Sequence, residues 1–160
     1  MNDNELKRKQ HSVYLLTYHA VFVVKYRREV ITDEMADLMK DEAARLMKGY
    51  GGELMEMNAD RDHVHLLLSM DPNMAPAKCI CSLNTQLSKT VRARYADQYK
   101  DMLWGDAFWS SSYFICTTGG ASIDTVRKYI EEQGHEKKKR AYHRTGRYSK
   151  AKKRNSSPTE

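Results

Sequence analysis

The sequence has little of what defines disulfide-rich, membrane-spanning or nucleotide-hydrolysing proteins. Its three cysteines, Cys79, Cys81 and Cys116, are too few for a disulfide framework. No apolar run approaches the roughly 18 residues that a membrane span needs, and residues 1–10 are too polar for a secretory signal. A phosphate-binding loop of the G-x-x-x-x-G-K-S/T type is also missing. These absences favour a cytoplasmic protein that has no membrane segment and keeps its thiols reduced.

Positive charge is in excess. The 160 residues include 27 Lys and Arg against 21 Asp and Glu, a formal charge of +6, and the pI is near 9.2. Such an excess suits a polyanionic partner such as nucleic acid, although many basic proteins bind none. Residues 135–160 are rich in Lys, Arg and Ser and show no apolar period. We expect this basic tail to be mobile, or ordered only on a partner.

Hydrophobic periodicity predicts four strands and three helices. The strands are expected at residues 13–25, 53–59, 62–70 and 108–118, with a tight polar turn at Asp60-Arg61. Helices are expected at 32–50, at the stripe of residues 80–95, and at 122–133. This order is the α+β, ferredoxin-like (βαββαβ) plan, an antiparallel sheet with helices on one face, followed by an extra helix. The predicted folded domain is 13–134, after a polar segment at 1–12.

Two histidines stand close together in the third predicted strand, Asp62-His63-Val64-His65-Leu66-Leu67-Leu68. Side chains alternate across a strand, so His63 and His65 share one face while Val64, Leu66 and Leu68 share the other. Adjacent imidazoles on an open face can begin a divalent metal site. Two unrelated polar residues on a solvated face are the commoner meaning of H-x-H.

A tyrosine and a glutamine form the second notable pair. Tyr129 and Gln133 are four residues apart in the last predicted helix and therefore neighbours on one face. Taken alone, Tyr129 is more simply a core or interface aromatic, and Gln133 a surface residue near a helix end.

The sequence resembles the small transposases of insertion sequences that move as single strands, part of the HUH endonuclease superfamily. The opening stretch at 18–28, the metal motif at 62–67, Leu103-Trp104-Gly105 with Phe108-Trp109, and the tyrosine helix at 126–133 carry the resemblance. The segment at 71–107 matches less well, and the tail hardly at all. Several motifs in the right order and spacing make the match specific.

The resemblance implies a catalytic domain at 13–134 with Tyr129 as nucleophile. His63, His65 and Gln133 would then bind Mg²⁺ or Mn²⁺, Asp60 could approach the metal from the turn, and Asp62 should face away. It further implies single-stranded DNA with hairpin ends as substrate, cleaved and rejoined through a covalent phosphotyrosine. One nucleophilic tyrosine per chain and two DNA ends to exchange favour a homodimer with shared active sites.

DNA contacts are expected from charged and aromatic residues. The basic candidates fall into two groups, one after the first strand and one on the second helix, and either group could instead be only part of a solvated surface. Core packing is the better interpretation for at least one tryptophan. The candidates are Lys25, Arg27, Arg28, Lys89, Arg92, Arg94 and Trp109.

Three alternatives stay open. The chain could be a related HUH nuclease with a replication or housekeeping role, since that class shares H-x-H and the tyrosine. It could be a non-catalytic nucleic-acid-binding regulator that uses the same sheet. A zinc-stabilised domain is the third, but a two-residue step on a helix points Cys79 and Cys81 apart.

Overall fold

A computed structural model describes residues 6–103, 105, 107–118 and 131 of the chain. In this part of the chain the main sheet has four strands, in the order β4-β5-β3-β6, and every neighbouring pair is antiparallel. The strands are β3 (Thr17–Val24), β4 (Glu53–Ala59), β5 (His63–Ser69) and β6 (Trp109–Thr117). Together with helices α1 (Asp33–Tyr50) and α2 (Pro76–Tyr99), this is the predicted α+β, ferredoxin-like arrangement.

The core lies between the sheet and the two helices. Alternate residues of the inner strands, such as Phe22 on β3 and Leu66 on β5, are fully buried in one cluster with Met39 of α1 and Leu83 of α2. Because strand side chains alternate, residues at the odd positions of β3 and β5 lie on the other face. We call this other face, away from α1 and α2, the open face.

Helix α1 begins and ends where the sequence predicts. The Thr32 side chain accepts a hydrogen bond from the Met35 amide, which caps the amino end. Gly51, in the left-handed conformation with φ 87°, closes the carboxyl end, as glycine does without steric penalty. This helix therefore leads directly into β4.

The first predicted strand is two strands in the structure. Residues of the expected polar segment form β1 (Lys7–Lys9), which pairs with β2 (Ser12–Tyr14) in a small separate hairpin. Only the second part, β3, enters the main sheet. Ion pairs from Lys7 to Glu53 and from Lys9 to Asp71 fasten the hairpin to the domain. Part of the predicted polar segment at 1–12 thus pairs with the beginning of the domain predicted at 13–134.

No helix in the described part of the chain is long and apolar enough to cross a membrane. The three cysteines are free, Cys79 buried and Cys81 exposed, so the two point to different sides of α2 as expected. The third predicted helix falls almost entirely outside the described residues.

Candidate metal centre

The two histidines of β5 lie together on the open face. Their neighbours Val64 and Leu66 belong to the core on the helix side, which confirms the predicted alternation. Across β3, His63 faces Val23 and His65 faces Val21, and both valines are fully buried. The imidazoles therefore project from the middle of the sheet, beside tightly packed apolar side chains.

His65 has the character of a metal ligand. Its Nε2 is buried and has no hydrogen-bond partner, a costly condition for a polar atom. Burial lowers the pKa of His65, and the nearby His19 and His63 lower it further. The ring is therefore held in the neutral form that can donate a lone pair to a cation.

Asp62 was expected to face away from the metal, and its carboxylate contacts the Nδ1 side of the His63 ring and the Arg27 side chain. The His63 Nδ1 lies 2.7 Å from Asp62 Oδ1, and the Arg27 Nε donates to Oδ2 at 3.0 Å. Burial alone would raise the pKa of the Asp62 carboxyl, but the hydrogen bonds and charges of His63 and Arg27 outweigh it and lower the pKa. Asp62 precedes β5, where strand alternation does not fix the direction of a side chain.

Asp60 also lies near His63. Ligand-type atoms of Asp60, Asp62 and His63 are all within 4.8 Å of one another. Asp60 is exposed in the turn before β5, and its Oδ1 accepts a hydrogen bond from the Arg61 amide at 2.8 Å. Carboxylate oxygens suit Mg²⁺ and Mn²⁺, and neutral imidazoles add nitrogen ligands. The residues therefore offer donors of the kind that a divalent cation binds, and His65, on the same strand face as His63, offers a further nitrogen.

His19 was not among the predicted site residues, yet it stacks on His65. The ring centroids are 5.0 Å apart and the planes are inclined by 16°. Its Nδ1 is likewise buried without a partner. The alternation of side chains along β3 could have predicted this position. Because Ala20 and Phe22 belong to the core, His19 must lie on the open face.

The predicted DNA-contacting cations separate into two groups. Lys25, Arg27 and Arg28 form the turn that ends β3, beside Asp62. The other group is exposed on α2, in the helix layer, and so lies on the opposite side of the sheet from the two imidazoles; it comprises Lys89, Arg92 and Arg94. One continuous DNA path over both groups and the candidate metal centre is not supported by this geometry.

Trp109 is a core residue, and its prediction as a DNA contact is wrong. Its side chain is buried, packs against Phe22 and Phe108, and donates from Nε1 to the backbone oxygen of Asn84 at 3.0 Å. No ring face is left for a nucleobase. The sequence before Trp109 has no clear periodicity, so it did not indicate whether the aromatic residues there belong to the core or contact DNA.

Tyr129 and Gln133, the predicted nucleophile and third ligand, lie outside the described residues. The same holds for Trp104 and for the basic tail at 135–160. Their roles therefore stay predictions.

Comparison with known proteins decides the family. A profile of the family described as "Transposase IS200 like" matches residues 12–133, well over half of the chain. The chain belongs to the IS200-like transposase family. The matched region includes the candidate metal centre and extends through Tyr129 to Gln133, and it covers nearly all of the domain predicted at 13–134.

Individual relatives agree with this family. The ISDra2 transposase TnpA of Deinococcus radiodurans is 37% identical over 87 residues, which are 54% of this chain and 61% of that protein. The crystal structure of a provisionally assigned transposase from D. radiodurans R1 has a TM-score of 0.70 at 30% identity, covering 79% of this chain and 97% of that one. A REP-associated tyrosine transposase bound to a REP hairpin reaches a TM-score of 0.49 at 7% identity and adds nothing to the family assignment.

Proposed function

We propose that this IS200-like family member cleaves and rejoins single-stranded DNA at the ends of a mobile element, with Tyr129 as nucleophile. The observation that carries the proposal is the pair of imidazoles on the open face, one of them with a buried, unpartnered Nε2. Buried polar atoms are usually hydrogen-bonded within the fold, and a cation would supply the partner that this nitrogen lacks. The family match extends over Tyr129 and Gln133, which would complete the site.

The proposed reaction exchanges one phosphodiester for another. The Tyr129 phenol oxygen attacks the scissile phosphorus and its proton passes to a base or to water. The bond from phosphorus to the 3′-oxygen breaks, and the leaving oxygen takes up a proton from the same base or from water. The products are a 5′-phosphotyrosine and a DNA 3′-hydroxyl. A second 3′-hydroxyl then attacks the phosphotyrosine, releases Tyr129 and reseals the strand. Each step replaces one phosphoester bond with another, so the cycle needs no nucleotide hydrolysis.

His63, His65 and Gln133 would hold the cation, with Asp60 as a further ligand from the turn. When bound, Mg²⁺ or Mn²⁺ polarises the scissile phosphate and neutralises the charge that develops on it. The rigid inner strands keep both imidazoles in place before DNA arrives, which reduces the cost of organising the site.

A homodimer with shared active sites belongs to this proposal. Each chain has one Tyr129 for two DNA ends, so two chains must act together. Thr118 is fixed to the start of β3, because its amide donates to the Thr17 oxygen at 3.1 Å. A tyrosine helix that docks beside the partner's histidines would therefore pivot at Gly119-Gly120, immediately after this anchor.

The proposal is tested with single-stranded oligonucleotides that carry the two ends of the element encoding the chain, including their hairpins. The protein is incubated with each oligonucleotide and Mn²⁺ or Mg²⁺, and denaturing gels are searched for a covalent protein–DNA adduct. We expect the adduct with wild type, its loss in Tyr129→Phe, and its loss in His63→Ala. Tyr95→Phe, which removes a hydroxyl from helix α2, is the matched control and should keep it.

The outcomes separate the competing functions. Hairpin binding by wild type without any adduct would establish the non-catalytic regulator instead. An adduct that forms on unrelated repeats but not on element ends would favour the housekeeping nuclease. Cleavage that survives in Tyr129→Phe would show that the nucleophile is misassigned.

A further inference from the structure

Asp62 receives hydrogen bonds from two sides at once. Arg27 Nε reaches its Oδ2 at 3.0 Å, and His63 Nδ1 reaches its Oδ1 at 2.7 Å. We propose that Arg27 and Asp62 are positioning residues that fix His63 in the tautomer presenting Nε2 to the metal. This inference deepens the proposed function and rests on it in one respect, that His63 is a metal ligand.

The proton positions follow from the donors. A guanidinium has only donors and keeps its charge in proteins, so the carboxylate facing Arg27 acts as acceptor. The short contact from Asp62 to His63 therefore requires a proton on Nδ1. In a neutral imidazole this leaves the lone pair on Nε2. Outer carboxylates orient metal-binding histidines in the same general way in many metalloproteins.

The strained backbone at Tyr26 and Arg27 supports a functional role for the contact between Arg27 and Asp62. Tyr26 and Arg27 both have positive φ, 61° and 52°, although neither is glycine. Strain of this kind persists where surrounding contacts impose it, and it concentrates at functional sites. Val24 donates to the Asp62 carbonyl at 2.8 Å, just before the turn. The left-handed turn then directs the Arg27 side chain back to the carboxylate of Asp62.

Asp62 could instead be a metal ligand, because it belongs to the cluster with Asp60 and His63. Its two oxygens, however, are both engaged, one by each neighbour. A cation bound at Asp62 would also lie close to the Arg27 guanidinium, and like charges repel strongly where the surroundings are partly buried. The Asp62 side chain is only 12% exposed. The geometry therefore favours a hydrogen-bonding role.

The test uses the full-length protein and two measurements that need no DNA. Nitrogen-15 NMR of the metal-free protein near pH 8 reports which ring nitrogen of His63 carries the proton. Titration with Mn²⁺ gives the dissociation constant. Asp62→Ala, Asp62→Asn and Arg27→Ala are compared with Arg45→Ala. This control also breaks an arginine–carboxylate pair, Arg45 with Glu42, but on the exposed side of α1.

We expect wild type and Arg45→Ala to show one His63 tautomer with the proton on Nδ1. Asp62→Ala should show exchange between both tautomers, and its Mn²⁺ dissociation constant should rise by roughly 10–100-fold. Asp62→Asn and Arg27→Ala should raise the constant in the same direction but less. If Asp62→Ala does not fold, Arg27→Ala and Asp62→Asn carry the test alone.

An unchanged tautomer and unchanged Mn²⁺ affinity in the folded variants would overturn the positioning role. A loss of Mn²⁺ binding in Asp62→Ala without any tautomer change would overturn it too, because that pattern identifies a direct ligand. Failure of the proposed function looks different. In that case the tautomer and affinity changes appear as expected, while wild type forms no DNA adduct.

Discussion

The ring of His19 on β3 stacks on the ring of His65 on β5, with centroids 5.0 Å apart. The two residues are diagonal neighbours, since the register pairs His65 with Val21. Each contributes one buried nitrogen that has no hydrogen-bond partner. The open face thus carries an imidazole beyond the H-x-H pair, in direct contact with a proposed ligand.

Replacement of His19 by phenylalanine should stabilise the protein. The ring stays, and with it the stacking on His65, while the unsatisfied Nδ1 disappears. Removing a buried polar atom without a partner is worth about 1 kcal/mol or more in the free energy of unfolding. Urea denaturation measures this change. A destabilised His19→Phe would show that the nitrogen has a partner in solution.

Loss of either proposed ligand should weaken metal binding without unfolding the domain. His63→Ala and His65→Ala should each raise the Mn²⁺ dissociation constant at least about 10-fold, since even outer partners of ligands have effects of that size. Binding is followed by titration and folding by circular dichroism. His11→Ala, in the loop between β1 and β2, serves as the control histidine. Equal affinity in all three variants would place the metal elsewhere.

Two glycines near the end of α1 should respond in opposite ways to alanine. A Cβ at Gly52 would lie 2.7 Å from the Ser69 carbonyl oxygen, whereas one at Gly49 would meet nothing within 4 Å. Gly52→Ala should therefore cost about 1–3 kcal/mol of stability. Gly49→Ala lies in the helix and should gain up to about 1 kcal/mol. Thermal and urea unfolding of the two variants measure both effects.

The ion pair between Lys9 and Asp71 should stabilise the N-terminal hairpin over a wide pH range. The hydrogen bond with Lys9 lowers the pKa of the Asp71 carboxyl, and the bond with Asp71 raises the pKa of the Lys9 amine. The contribution is thus present above the ordinary carboxyl pKa of about 4 and is lost as pH falls through the lowered value. On the basic side it is lost as pH rises through the raised value for Lys9.

The pH prediction is measured as the difference in melting temperature between wild type and Lys9→Ala. We expect a constant difference from about pH 5 to pH 9 that shrinks in acid. Lys100→Ala, which breaks an exposed pair with Asp97, should show little difference at any pH. A Lys9→Ala difference that persists unchanged at pH 2 would show that the pair is not its cause.

Much of the fold could be predicted because its elements have strong periods. The spacing of Met35, Met39 and Met47 by multiples of four residues predicted helix α1, and strict alternation predicted β5 and its two faces. The hairpin of β1 and β2 escaped prediction since three-residue, lysine-rich strands carry no period. The pairing of these strands is instead held by ion pairs to distant residues.

In the candidate site, the sequence located residues inside strands better than those at strand ends. His63 and His65 followed from alternation, and His19 could have followed from the same rule. The contact of Arg27 with Asp62 depends on a left-handed turn at Tyr26 and Arg27 that no simple residue preference predicts. The role of Tyr129 was proposed from resemblance, because one tyrosine in a predicted helix has no distinguishing sequence pattern of its own.

The placement of the imidazoles on β5, an inner strand paired on both sides, has a consequence for how the protein gains and loses its ion. Amides of central strands generally exchange with solvent through global unfolding, so we expect this region to be equally rigid with and without metal. The metal ion would then bind to a site that is already folded and would not be required for folding. Chelation should therefore leave a folded protein that recovers its binding capacity as soon as Mn²⁺ is returned.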